Sequence, residues 1–180
     1  MTSGTALRIP ISKLDHPFGP ANAPLILIEY GDYQCPSCGR AYSVIQHLQK
    51  TLKDDLRFVF RNFPLAVQHP FAMAAAQAAE AAGLQGKFWE MHDMLYENQD
   101  ALDPEGLFEY ASALRLDLEK FTRDMASPEV EERIAHDLYG GARSGVNGTP
   151  GFFINGFRYD GDWSFSALLT VLTALRKKAA

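Results

Sequence analysis

Two cysteines occur in this chain, and they sit three positions apart in Cys35-Pro36-Ser37-Cys38. That spacing lets one thiol attack a disulfide while the other resolves the product. The attacking species is the thiolate, so the pair needs a local source of positive potential. The flanking sequence supplies one. Leu25-Ile26-Leu27-Ile28 reads as a buried strand, and the residues from Gly39 to Leu48 read as a helix. Cys35 then stands at a helix N-terminus, with Cys38 one turn further in. Unpaired N–H groups and about half a positive charge gather at such an end. Pro36 suits the first helical turn, where no N–H is required.

Two other uses of the pair are weighed. Structural zinc needs four ligands. No further cysteine exists, and His16, His47, His69, His92 and His136 show no pairing at ligand spacing. No metal site is expected. Two inert buried cysteines are the second reading, and the strand–CxxC–helix context argues against it.

The elements that must position the pair can be read along the chain. Residues 1–24 form a lead-in punctuated by Pro10, Pro17, Pro20 and Pro24. Leu25–Tyr30 is a strand, Cys35 to about Leu52 a helix, and Leu56–Arg61 a second strand that a right-handed crossover makes parallel to the first. From His69 to Arg143 the pattern is helical, with caps predicted before Pro104 and at Ser127. Phe152-Phe153-Ile154, the turn Asn155-Gly156, and Phe157-Arg158-Tyr159 predict a hairpin. Ser164 to about Lys177 is a closing amphipathic helix. The expected class is α/β, with a four-stranded mixed sheet. An α/β domain made of residues 25–65 and 144–180 is interrupted by a helical domain over 66–143.

Two stretches carry a resemblance. Glu29-Tyr30-Gly31-Asp32-Tyr33-Gln34-Cys35-Pro36-Ser37-Cys38 and Gly145-Val146-Asn147-Gly148-Thr149-Pro150-Gly151-Phe152-Phe153-Ile154-Asn155-Gly156 together resemble the thioredoxin fold. The likeness is to its DsbA-like branch, in which a helical domain interrupts the fold, and it runs from Asp15 to Leu175. The resemblance implies a protein disulfide oxidoreductase, with Cys35 as nucleophile and Cys38 as its buried partner. It implies that Pro150 is a cis-proline beside the pair, and that Glu29 is a buried acid. An apolar strand raises the pKa of such a carboxyl, which can then take the Cys38 proton. A strand-end carboxylate in water is the other reading of Glu29, and an ordinary trans turn that of Pro150. Thr149, at an open strand edge, is expected to pair with an extended substrate. Tyr33, Pro36 and Ser37 complete the substrate-facing set. Tyr33, Phe63, Trp89 and Phe152 are either an apolar rim or core. Ser37 departs from the histidine of strongly oxidising DsbA, which puts powerful oxidase behaviour in doubt.

No cofactor is expected beyond the redox-active disulfide Cys35–Cys38. The expected partners are protein or peptide thiols and disulfides, with glutathione or a thioredoxin-type protein as electron partner. Two rival readings are a non-catalytic redox-sensing module and a kappa-class glutathione transferase-like isomerase. The CxxC argues against the isomerase. Similar domains also occur attached to membrane transporters.

Composition sets the outer bounds. The 180 residues are 47% hydrophobic, enough for a sizeable core. The net charge of -5 is uneven, with fifteen acidic against five basic residues from Glu80 to Asp137. No basic stripe with interleaved aromatics suggests nucleic acid. No stretch approaches the roughly 18 apolar residues of a membrane span, and the start lacks a signal pattern. A cytoplasmic location is expected, or an extracytoplasmic one if a signal has been removed.

Overall fold

The central strand β2 (Leu25–Gly31) is buried along almost its whole length, as its apolar run requires. In this computed structural model, which describes residues 5–179, it pairs in parallel with β3 (Leu56–Asn62) and antiparallel with β4 (Gly151–Ile154). Residues 1–4 of the lead-in and residue 180 of the closing segment lie outside the described residues. β5 (Phe157–Tyr159) extends the sheet beyond β4. The turn between them has φ of 48° at Asn155 and 84° at Gly156, the left-handed pair that a two-residue hairpin needs.

Among the described residues the sheet has five strands, in the order β1-β3-β2-β4-β5, and not the four expected from sequence. The extra strand is β1 (His16–Phe18), drawn from the lead-in and antiparallel to β3. Pro17 disguises it, because proline reads as punctuation. An edge strand tolerates proline, since one row of its N–H groups has no ladder partner.

Among the described residues, seven α-helices cover the sheet. They are α1 (Pro36–Leu52), α2 (Ala72–Gly83), α3 (Phe88–Glu97), α4 (Pro104–Ala113), α5 (Leu118–Met125), α6 (Pro128–Arg143) and α7 (Phe165–Ala179). The caps form where the sequence sets them: Asp103 accepts from the Gly106 N–H and Ser127 from the Val130 N–H. Alternation along β2 sends Leu25, Leu27 and Glu29 toward the core under α1, α3 and α7. Ile28 and Tyr30 go to the opposite face, with Phe63, Phe153 and Leu138 of α6. A single charged side chain therefore interrupts the α1 face of β2, and it is Glu29.

The lead-in is fastened by a buried arginine. Arg61 Nε donates to Asp15 Oδ1 at 2.7 Å and Nη2 to Asp15 Oδ2 at 3.1 Å. Its remaining protons go to Tyr30 Oη and to the carbonyls of Ile9 and Pro10. All five donors are filled, the condition under which a guanidinium can be buried. Burial raises the Asp15 pKa, but the Arg61 hydrogen bonds and charge outweigh that and hold it below its ordinary value. Asp15→Asn leaves the guanidinium buried without its counter-charge. It should cost about 3–5 kcal/mol in denaturant unfolding.

Candidate functional site

The site forms where β2 ends and β4 begins. Tyr30 is registered against Gly151, so the segment before β4 reaches the same end of the sheet as the loop after β2. Asp32 shapes that loop. Its buried carboxylate accepts from the N–H groups of Gln34 and Leu65 and from His69 Nδ1, each at 2.8 Å. The chain then enters α1 with Cys35 as N-cap residue and Pro36 at the first helical position.

Cys35 and Cys38 are both free thiols, 7% and 0% exposed. Their environments split their acidities. The Cys38 thiol donates to the Cys35 sulfur, and that bond is the largest influence on Cys35. Burial acts against it, but the backbone N–H groups of Ser37 and Cys38 add to it. Together they bring the Cys35 pKa down to about 5. Cys35 Sγ also lies 3.6 Å from the Thr149 carbonyl oxygen. That oxygen can only accept, so it favours the neutral thiol, and the donors outweigh it. Cys38 moves the other way. Burial, its bond to Cys35 and the nearby Glu29 carboxylate all push its thiol far above the ordinary range.

Glu29 is 2% exposed and faces this pair from beneath. Its Oε1 has no hydrogen-bond partner, and it borders a cavity of about 350 Å³ between α1, α3 and the sheet. Burial first, and the Cys35 charge second, push its pKa up to about 8. At neutral pH the charge of the cluster therefore sits on Cys35, and Glu29 and Cys38 hold protons.

The structure distributes the other sequence-predicted residues unevenly. The Thr149–Pro150 peptide is cis, and Thr149 and Pro150 are half-buried. Pro36 is exposed, and the Ser37 hydroxyl accepts from Arg40 Nη2 at 2.9 Å. Tyr33 corrects the expectation of a substrate contact. It is 1% exposed, packs against Phe60, His92 and Tyr96, and its hydroxyl meets His92 Nδ1 at 3.0 Å. The period-2 pattern of β2 does not extend into the loop, so nothing in the sequence indicates that the ring turns inward. Phe63 and Phe152 are buried too, and form core and not rim.

Sequence reading missed Gln99. It stands between α3 and α4, and its Nε2 donates to the carbonyls of Tyr33 at 2.7 Å and Cys35 at 3.0 Å. It clamps the loop that carries the nucleophile. Gly39 is its counterpart: a Cβ there would lie 2.0 Å from Gln99 Oε1. Asp32 was missed as well, although an aspartate just ahead of a helix is a turn-forming signal. Gln99, more than sixty residues downstream, carried no signal.

Comparison with known proteins agrees with this fold. A family model described as thioredoxin matches residues 12–174. A thioredoxin-like oxidoreductase from Silicibacter pomeroyi is 30% identical, with a TM-score of 0.83 over 92% of this chain and 94% of its own. α-DsbA1 of Wolbachia pipientis, 21% identical, has the same fold, with a TM-score of 0.83 over 96% of each chain. The Na(+)/H(+) antiporter NhaA 1 of Salinispora arenicola is 44% identical over 169 residues, which are 93% of this chain and 26% of that protein. The chain thus spans about a quarter of the length of such curated relatives.

Because the Cys38 thiol is the largest influence on Cys35, Cys38→Ala should raise the Cys35 pKa above 5 toward its ordinary value. Thiolate absorbance in the ultraviolet, followed across pH, reads this directly. An unmoved midpoint would show that the backbone donors alone hold the thiolate.

Proposed function

The chain belongs to the thioredoxin family, and on that premise we propose that it is a thiol–disulfide oxidoreductase of DsbA-like type working through Cys35 and Cys38. The observation that carries the reading is the opposed acidity of the two thiols, one low and at a helix start, the other high and buried.

The steps follow from the charges. The Cys35 thiolate attacks one sulfur of a substrate disulfide, forming a mixed disulfide and releasing the other sulfur as a thiolate. The charge has then left the site. Glu29 loses the neighbour that helped to hold its proton, so its pKa falls and it becomes a carboxylate more readily. That carboxylate takes the Cys38 proton as Cys38 attacks Cys35 Sγ, which releases the second substrate thiolate. The substrate gains two electrons and the pair becomes a disulfide. Oxidation of a dithiol substrate runs the same steps backwards. A reducing compartment such as the cytosol favours the first direction, with glutathione or a thioredoxin-type protein returning electrons. The exposed Pro36, the first turn at Ser37 and the Thr149 edge present the surface on which a protein or peptide chain lies.

A second reading has one observation in its favour. In the antiporter relatives the matching segment is a quarter of a larger protein. A redox-sensing module attached to a transporter would switch on oxidation without turnover. Turnover of a dithiol substrate separates the two.

Cys35→Ser should abolish turnover, and Cys38→Ser should accumulate mixed disulfides visible by mass spectrometry. Equal alkylation of both wild-type thiols at neutral pH would remove the assignment. Glu29→Gln keeps the shape and loses the titrating group. In stopped-flow mixing it should slow resolution more than attack. The wild-type resolution rate should titrate below the resting midpoint of about 8, since the Cys35 charge is then gone.

A further inference from the structure

Two asparagines in the chain, Asn147 and Asn155, are followed by glycine. An Asn-Gly step can react with itself. The glycine backbone nitrogen, losing its proton, attacks the side-chain amide carbon of the asparagine. Ammonia leaves and a five-membered imide forms. Water then opens the imide at one of its two carbonyls. The product is aspartate or isoaspartate, in which the main chain runs through the former side-chain carbon. Water enters, ammonia departs, and nothing is oxidised or reduced. Glycine permits the attack because it has no Cβ to crowd the nitrogen and bends freely.

The two steps are matched in sequence, since the β-branched Val146 and Ile154 precede them. The fold separates them. Asn155 is locked. Its N–H donates to the Ile26 carbonyl at 2.9 Å, and its Oδ1 accepts from the Ile26 N–H at 2.8 Å. Its backbone is fixed in the left-handed turn between β4 and β5, at a φ of 48°. Closing the imide there means breaking the side-chain bond and rotating the turn. Asn147 is exposed, in the segment between α6 and β4 that is neither helix nor strand. Among the described residues, no hydrogen bond holds its side chain, and the Gly148 N–H donates to no carbonyl. A Cβ built on Gly148 meets nothing within 4 Å, so the glycine lies in open space.

The position of Asn147 gives the reaction a consequence. Asn147 stands two residues before Thr149, whose carbonyl oxygen is 3.6 Å from Cys35 Sγ, and two residues span at most about 7 Å. We propose that Asn147 is a modification site: in the folded protein it deamidates through Gly148 while Asn155 does not, and it sets a carboxylate beside the edge that faces Cys35. In the isoaspartyl product the main chain also gains a methylene ahead of Thr149, which displaces that edge. A negative charge there disfavours the Cys35 thiolate. The modification weakens the nucleophile as the protein ages and needs no enzyme. It proceeds whether or not the cysteine pair exchanges disulfides.

The full chain is incubated in warm, mildly alkaline buffer, folded and, in parallel, unfolded in urea. Trypsin then cuts after Arg143 and Arg158, so both asparagines fall in one peptide, and fragment masses report each of them. In the folded chain Asn147 should convert at least about tenfold faster than Asn155, as the two hydrogen bonds that hold Asn155 imply. In urea the two should convert at similar rates. Gly148→Ala, which the open space admits, should slow Asn147 in the folded chain. Followed by thiolate absorbance at low salt, Asn147→Asp should raise the Cys35 midpoint by a few tenths of a pH unit. Asn155 converting as fast as Asn147 in the folded chain overturns the proposal. So does an Asn147 that the fold protects and urea exposes, or a gap between the two that persists unchanged in urea. An Asn147→Asp midpoint equal to the parent's overturns its bearing on Cys35.

Discussion

The interior beneath α1 has room for one negative charge, and the chemistry of the site follows from that limit. Three acidic groups compete for it. Cys35 wins because it lies at the helix start, where the Cys38 thiol and two backbone N–H groups point at its sulfur. Glu29 loses because nothing donates to its Oε1. Cys38 loses because it is buried deeper and keeps its proton, which it donates in a hydrogen bond to the Cys35 sulfur. The three are coupled: charge on Cys35 raises Glu29, and charge on Glu29 raises Cys38. Moving the charge off Cys35 therefore alters both of the others, which is how a covalent step at the surface reaches a carboxyl on the central strand.

Holding three groups in that relation takes more than the strand and the helix. Asp32 ties the loop after β2 to the chain leaving β3, through Leu65 and His69. The Gln34 side chain accepts from the Phe71 N–H where α2 begins. Gln99 holds the carbonyls on either side of Gln34. All these partners come from the sequence between β3 and β4. The segments that lead into and join the helices there do more than connect them, since they supply the polar groups that fix the redox loop. On the opposite face Arg61 fastens Asp15 and the lead-in, so that β1 can close the edge of the sheet.

What the sequence displayed was local. The strand–CxxC–helix corner, the caps at Asp103 and Ser127, and the Asn155-Gly156 turn each depend on neighbours a few residues apart, and each is found where its residues stand. Glu29 was legible through the resemblance, since its place at a strand end left a carboxylate in water as the other reading. The rest depended on distance. Tyr33 lies two residues before the nucleophile, yet its ring joins a cluster built by Phe60, His92 and Tyr96. Nothing adjacent to it in sequence reports that cluster. β1 was hidden by its own proline, and Gln99 by the sixty-odd residues between it and the loop it grips. Contacts made by long-range packing leave no periodic trace.

The redox tendency of the pair also rests on the arrangement and not on the two intervening residues. The Ser37 side chain turns to Arg40, whose Nη2 donates to its hydroxyl, and Ser37 acts on Cys35 through its backbone N–H. The low pKa of Cys35 comes mainly from elsewhere, and its largest source is the Cys38 S–H. That donor exists only in the reduced protein, whereas the backbone N–H groups are present in both states. Whatever stabilises the dithiol form without stabilising the disulfide makes the disulfide the stronger oxidant. With no histidine between the cysteines, the buried Cys38 thiol is the side-chain donor that favours the Cys35 thiolate in the reduced protein. Glu29 opposes this. A carboxyl held above its ordinary pKa resists ionisation beside the thiolate, and its cost grows as pH rises toward about 8 and stays level above it. Cys38 and Glu29 thus act on the Cys35 thiolate in opposite directions, both from beneath the first turn of α1.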